Sequence, residues 1–137
     1  YVELIRGVLA QDSSVQVVVT GTAMDQAWTE PVLKNFVSEK RVVSAVNLLN
    51  LRELLFVLEN ARAVVVPSTG VAHLAASLGT KTRAIYSPVI EHAAKRWGPR
   101  GPDVQVFEPS AMSTTSDPML MVAAESVLSS LAEGSRL

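Results

Sequence analysis

Short apolar runs alternate along this chain with segments whose apolar residues recur every three or four positions, so buried strands are predicted to alternate with helices that cover them. The strands are expected at residues 15–20, 41–46, 63–66 and 82–86, each dominated by valine, alanine or isoleucine and low in charge, as strands buried on both faces of a parallel sheet are. A short last strand is expected at 103–107. Val2, Leu4, Ile5, Val8 and Leu9 line one face of a first helix over 1–10, which begins with no visible cap or preceding strand. The segment 23–40 is predicted helical after Pro31, a residue tolerated near a helix start. Asn50 with Glu53 reads as a capping box ahead of Leu51, Leu54, Leu55 and Leu58, in a helix that ends at Asn60. Asp117-Pro118 opens a closing helix over 119–131.

The period changes most sharply within residues 61–86. A buried strand at 63–66 is broken by Pro67-Ser68-Thr69-Gly70, then Val71, Leu74, Ala75 and Leu78 recur at helical spacing, and Gly79 stands where a helix C-cap belongs. The strand at 82–86 follows, so this is a strand, a tight loop, a crossover helix and a parallel strand. Ligands of open α/β sheets bind outside the carboxyl ends of the strands, where the loop 67–70 lies. Ser68 or Thr69 can cap the helix, Gly70 lets another group approach the backbone, and the free N–H groups with the helix dipole favour a phosphate. His73 falls in the first turn of that helix. Any strand–helix–strand unit needs a capped turn, so the same residues also fit a helix start with a partly exposed histidine.

Two further loops follow strands and precede helices, at 21–25 and 47–50, and in a parallel sheet all three open on one edge. Together they describe a nucleotide cleft: Asp25 can accept ribose hydroxyls beside Gly21, Leu48 or Leu49 can flank a base, and the Ser68-Thr69-Gly70 turn can hold phosphate. Each also has a plainer role, Asp25 as a helix-start residue and Leu49 as core. The long stretch 87–102 holds Pro88, Trp97-Gly98-Pro99 and Gly101-Pro102, which regular structure does not cross. There is no internal repeat.

Composition narrows the classes. The 137 residues suit one domain able to bury about two thirds of its unfolded surface. Aromatics make up 5% against 48% hydrophobic residues, which fits α/β packing by Val, Leu and Ala rather than an aromatic-rich sandwich. A net charge of −1 gives no reason to expect nucleic acid. Without cysteine there is no disulfide framework or thiolate metal site, and no apolar run is long enough to span a membrane.

The run S-T-G-V-A-H-L-A-A-S-L-G-T-K-T, with I-Y-S-P following and R-W-G-P beyond, resembles the signature of glycosyltransferase family 9, the heptosyltransferases of lipopolysaccharide core synthesis and their relatives. Thr69, Gly70, His73, Leu74, Ala75, Ala76, Leu78 and Gly79 stand where that pattern puts them. Y-V-E-L-I at the start, V-V-T-G at the second strand and L-L-N-L-R-E-L before the signature also look like the family, so the resemblance covers about residues 1–99. It departs at Ser68, where the pattern has an acidic residue, and at Ser87, where it has the glycine of a Gly-Pro turn.

The resemblance implies an α/β, Rossmann-like three-layer domain with a parallel sheet, the carboxyl-terminal, donor-binding half of a two-domain GT-B glycosyltransferase, so residues 1–137 are expected to be one domain of a larger protein. Such enzymes transfer a sugar, here heptose-like, from a nucleoside diphosphate sugar such as an ADP-heptose to a lipopolysaccharide core or related glycan acceptor held by the other half. No cofactor and no metal are expected. Carried over by position, Ser68, Thr69, Gly70, His73 and Leu74 contact the diphosphate or donor sugar, Gly21 and Asp25 stand at the ribose-binding loop, and Leu49 lies at the base-contacting position. The general base belongs to the amino-terminal half, so no catalytic residue is named here, and Glu91 and His92 suit a surface loop better than that role. The resemblance further implies a cytoplasmic bacterial protein that works peripherally at the inner face of the inner membrane. It also implies a strand ahead of the first helix, paired beside residues 15–20; the expectation is that residues upstream of Tyr1, a neighbouring molecule or a rearranged strand supplies it. Another nucleotide-sugar enzyme of the same architecture, epimerase-like, and a non-catalytic nucleotide-binding module are the alternatives.

Overall fold

The computed structural model of the chain describes residues 1–86, 94–108 and 118–133, with side chains throughout except at 94 and 118–124. The expected turn at Ser87-Pro88, the candidates Glu91 and His92 and the polar stretch 110–117 lie outside the described residues. The chain divides into two compact units, Tyr1–Arg52 and Glu53–Leu137.

In the first unit, α1 (Val2–Gln11) precedes β1 (Val17–Gly21), a 3-10 turn (Ala23–Asp25), α2 (Gln26–Leu33), a second 3-10 turn (Lys34–Phe36) and β2 (Val42–Val46). β1 and β2 pair in parallel from Val17 opposite Val42 to Gly21 opposite Val46. Among the described residues β2 is the one ladder partner of β1. Leu4, Ile5 and Phe36 form its buried centre. Arg41 fastens α1 to this sheet: its Nη1 donates to the Leu9 carbonyl at 3.0 Å while Nε and Nη2 grip the Glu39 carboxylate. Hydrogen bonds from Arg41 hold the Glu39 carboxyl below its ordinary pKa.

The helical segment was expected after Pro31, yet α2 starts five residues before it, and Pro31 lies inside. The reason is local: the 3-10 turn fixes the entry, so the missing proline N–H removes one rung from a helix already begun.

The second unit holds most of α3 (Leu51–Asn60), then β3 (Val64–Pro67), α4 (Gly70–Ser77), β4 (Thr82–Ile85), the short α5 (Ala94–Trp97), β5 (Val104–Phe107) and α6 (Pro118–Ala132). The sheet order is β3-β4-β5, with both pairings parallel. Ala72, Ala75 and Ala76 are fully or almost fully buried, and their small side chains let α4 lie close on the sheet. Val66, Ala72, Ala84 and Tyr86 form the central cluster, with Val64 and Val71 packed on it. Gly79 ends α4 with φ of 78°, the left-handed conformation that glycine adopts without strain. Thr80 follows and donates its hydroxyl to the Leu58 carbonyl at 2.9 Å, which pins the end of α3.

Candidate functional site

Two groups of candidate residues stand at carboxyl ends of strands, one in each unit. In the second unit the chain leaves β3 at Pro67 and enters α4 through Ser68 and Thr69, all exposed. Thr69 is the N-cap residue in extended backbone, but its side chain makes no capping hydrogen bond. The cap that the sequence offers is therefore left unmade. The Ala72 N–H already donates to the Thr69 carbonyl at 3.1 Å, but among the described residues the Gly70 and Val71 N–H groups have no acceptor and stay open to an external one, in an end that carries about half a positive elementary charge. Gly70 is exposed, and a Cβ placed on it would meet nothing within 4 Å. His73 is exposed one turn further on, whereas Leu74 is half-buried and serves packing as much as contact.

In the first unit Gly21 closes β1, and a Cβ there would stand 3.0 Å from the Asp25 Cβ. The glycine is what lets Asp25 fold back. Asp25 Oδ2 accepts from the Thr22 N–H at 2.7 Å and from the Thr22 hydroxyl at 2.8 Å. The plainer role read for Asp25, as a helix-start residue, is thus made, and Oδ1 is left to accept from a ligand. The Asn47 N–H donates to the Gly21 carbonyl at 2.8 Å, so the loop after β2 is tied to the end of β1. Asn47 has φ of 57°, a conformation that asparagine tolerates better than most residues. In the sequence the one signal of this tie is an Asn directly after a strand. Leu49 is half-buried, while Leu48 is exposed and lines a cleft of about 270 Å³ with Gln26, Thr29, Glu30, Ser44 and Asn47.

The Thr22 bonds hold the Asp25 carboxyl below its ordinary pKa, the backbone N–H first and the hydroxyl second. Its folded pKa therefore lies below the unfolded one, so the cap stabilises at neutral pH and is lost as pH falls through the lowered value. The Thr22 amide resonance is expected to titrate with a midpoint below that of ordinary aspartates. A midpoint at or above the ordinary value would remove the cap from solution.

A wider groove of about 610 Å³ in the second unit, lined by Gln105, Phe107, Ser129, Glu125 and Glu133, runs between β5 and α6. Its two carboxylates make it a poor host for an anion. Among the described residues no group of three His, Cys, Asp or Glu side chains is placed to hold a metal, and no helix is long and apolar enough to cross a membrane.

With strand-end loops and an uncapped helix start in place, the family comparison decides the relationship, since the model of glycosyltransferase family 9 (heptosyltransferase) matches residues 1–118. The chain belongs to glycosyltransferase family 9. Among solved structures, the ADP-heptose LPS heptosyltransferase II of E. coli is similar with a TM-score of 0.77 at 20% identity, over 96% of this chain and 39% of that one. A glycosyl transferase family 9 structure from Veillonella parvula is similar with a TM-score of 0.68 at 19% identity, over 96% of this chain and 40% of that one. At these identities the likeness is one of α/β fold, and the chain spans about two fifths of the length of either structure. No curated protein matches the chain.

Proposed function

We propose that this family 9 chain is the donor-binding part of a glycosyltransferase that moves a heptose-like sugar from a nucleoside diphosphate to a lipopolysaccharide core or related glycan. The observation that carries this is the unmade cap at Thr69 beside the open Gly70. Such a helix start offers N–H groups to the oxygens of a diphosphate. As the bond to the sugar breaks, negative charge grows on the leaving diphosphate, and fixed N–H donors favour that state over the ground state. His73 can donate to the same oxygens. Thr69 supplies a hydroxyl and Leu74 an apolar wall, while Ser68, neutral where the family pattern is acidic, removes a charge that would repel phosphate.

By family position, Asp25 Oδ1 accepts a ribose hydroxyl beside Gly21, and Leu49 and its exposed neighbour Leu48 flank the base. The general base and the acceptor belong to the remaining part of a two-domain enzyme, whose place of work is proposed to be the cytoplasmic face of the bacterial inner membrane. No cofactor or metal is assigned a role in the transfer.

Titrating the chain with ADP, UDP and GDP while following amide resonances tests the assignment. The expected result is shifts at residues 68–73 and at Thr22, Asp25 and Leu49, with one base preferred. Shifts confined to Lys81, Thr82 and Asp103, at the other ends of the strands, or no shifts with any of the three, would overturn it.

A further inference from the structure

We infer that Arg96, held against the Trp97 ring, is a donor-binding residue that neutralises the diphosphate. This role presupposes the proposed donor site at Thr69 and Gly70, and it adds to that site the full positive charge it lacks. A helix end supplies only about half an elementary charge, less than a diphosphate carries.

The placement follows from three contacts in the second unit. Tyr86, at the carboxyl end of β4, is 2% exposed and packs in the cluster that contains Ala72 and receives Val71, the first residues of α4. Its hydroxyl donates to the Trp97 carbonyl at 2.6 Å. Pro67 pairs with Ile85, so Ser68 and Tyr86 leave the sheet at the same edge, and the Tyr86 hydroxyl ties Trp97 to that edge. Further along, a Cβ on Gly101 would stand 2.5 Å from the Ala76 carbonyl oxygen, and one on Gly79 would stand 3.8 Å from Pro102. Gly101 and Pro102 thus lie against the carboxyl end of α4. Arg96 precedes Trp97 and is thereby carried at the carboxyl edge of β3 and β4, the edge from which α4 starts.

The Arg96 guanidinium carbon is 5.1 Å from the Trp97 ring centroid, in range for a cation–π contact. Among the described residues Arg96 makes no salt bridge, and it is exposed. Stacking leaves the edge of the guanidinium free, and its planar fork suits two phosphate oxygens at once. Holding the group on the ring also reduces the rotamer freedom lost when a ligand binds. Tyr86, whose hydroxyl donates to the Trp97 carbonyl, is a positioning residue.

The test titrates Arg96→Gln, Arg96→Lys and Tyr86→Phe with whichever of ADP, UDP and GDP the parent chain binds best, and with the matching nucleoside, at 50 and 200 mM salt. Arg96→Gln is expected to weaken diphosphate binding at least tenfold, to flatten its salt dependence and to leave nucleoside binding within about twofold. Arg96→Lys should recover part of the loss, and Tyr86→Phe should show a smaller loss of the same kind. Unchanged diphosphate binding by Arg96→Gln would overturn the role while leaving the donor site intact. Equal loss of nucleoside and diphosphate would make Arg96 merely structural and overturn it too. A parent chain that binds none of the three diphosphates would overturn this role and the donor site together.

Discussion

Replacing Gly70 by alanine is expected to weaken nucleoside diphosphate binding at least tenfold while leaving the melting temperature unchanged or slightly raised. The two effects have separate causes. In the free chain the added methyl meets nothing within 4 Å, and Gly70 is not in the left-handed region, so the folded state accepts it without strain. Alanine also restricts the unfolded chain more than glycine does, which favours folding by about 0.4–1 kcal/mol. A phosphate oxygen that accepts from the first N–H groups of α4 must come within about 3 Å of them, into the space the methyl takes. A tenfold loss corresponds to about 1.4 kcal/mol, the scale of one compromised charged hydrogen bond. Gly79→Ala is the matched control. Its φ of 78° makes alanine strained there, so about 1 kcal/mol of stability is lost with binding kept. Calorimetry for binding and thermal melts for stability separate the pair, and a Gly70→Ala chain that binds as tightly as its parent would show that no phosphate approaches this backbone.

How much of this could be read from residues alone depends on the range of the contact concerned. β3 was legible because three consecutive valines followed by a proline leave little choice, and α4 because Val71, Leu74 and Ala75 repeat at helical spacing. Gly79 as the end of α4 was legible for the same local reason. Pairing was not: the period of a strand tells which faces are buried but not which neighbour it takes in the β1-β2 ladder or the β3-β4-β5 sheet. The start of α2 was misplaced because Thr22 with Asp25 replaces the usual Ser/Thr with Glu, and the shorter carboxylate still reaches the Thr22 N–H. The Tyr86–Trp97 tie joins residues eleven apart, and in the sequence Trp97-Gly98-Pro99 reads only as a breaker. Long-range hydrogen bonds of this kind have no period, so composition and spacing are silent about them.

Arg83 carries the other large expectation, and it too was invisible in the pattern. β4 is the central strand of its sheet, yet its second residue is an arginine only 3% exposed. The guanidinium is satisfied on every side: Nε donates to Ser130 Oγ at 2.8 Å, Nη2 to the Ser130 carbonyl at 3.2 Å, and Nη1 to Asp103 Oδ1 at 2.7 Å and to the Asp103 and Thr82 carbonyls. One side chain thus ties α6 to β4 and to the start of β5. Lys81 adds a second clip on the same side, donating to the Glu133 carbonyl at 2.6 Å beyond the end of α6, where a cation is favoured. Arg83→Ala removes both the stem that fills the space and the donors, and is expected to cost about 3 kcal/mol, or roughly 10 °C in melting temperature for a chain of this size. Arg83→Met keeps most of the stem. Its cost should be about half, because Asp103 is 45% exposed and returns to water, while Ser130 Oγ still donates to the Val127 carbonyl. Asp103→Asn should cost less again, about 1 kcal/mol, since the guanidinium keeps its other acceptors. The order Ala, then Met, then Asn is what thermal or urea unfolding should return; Arg83→Ala as stable as the parent would mean that α6 is held by other contacts, and Arg83→Met as costly as Arg83→Ala would assign the whole effect to the polar network.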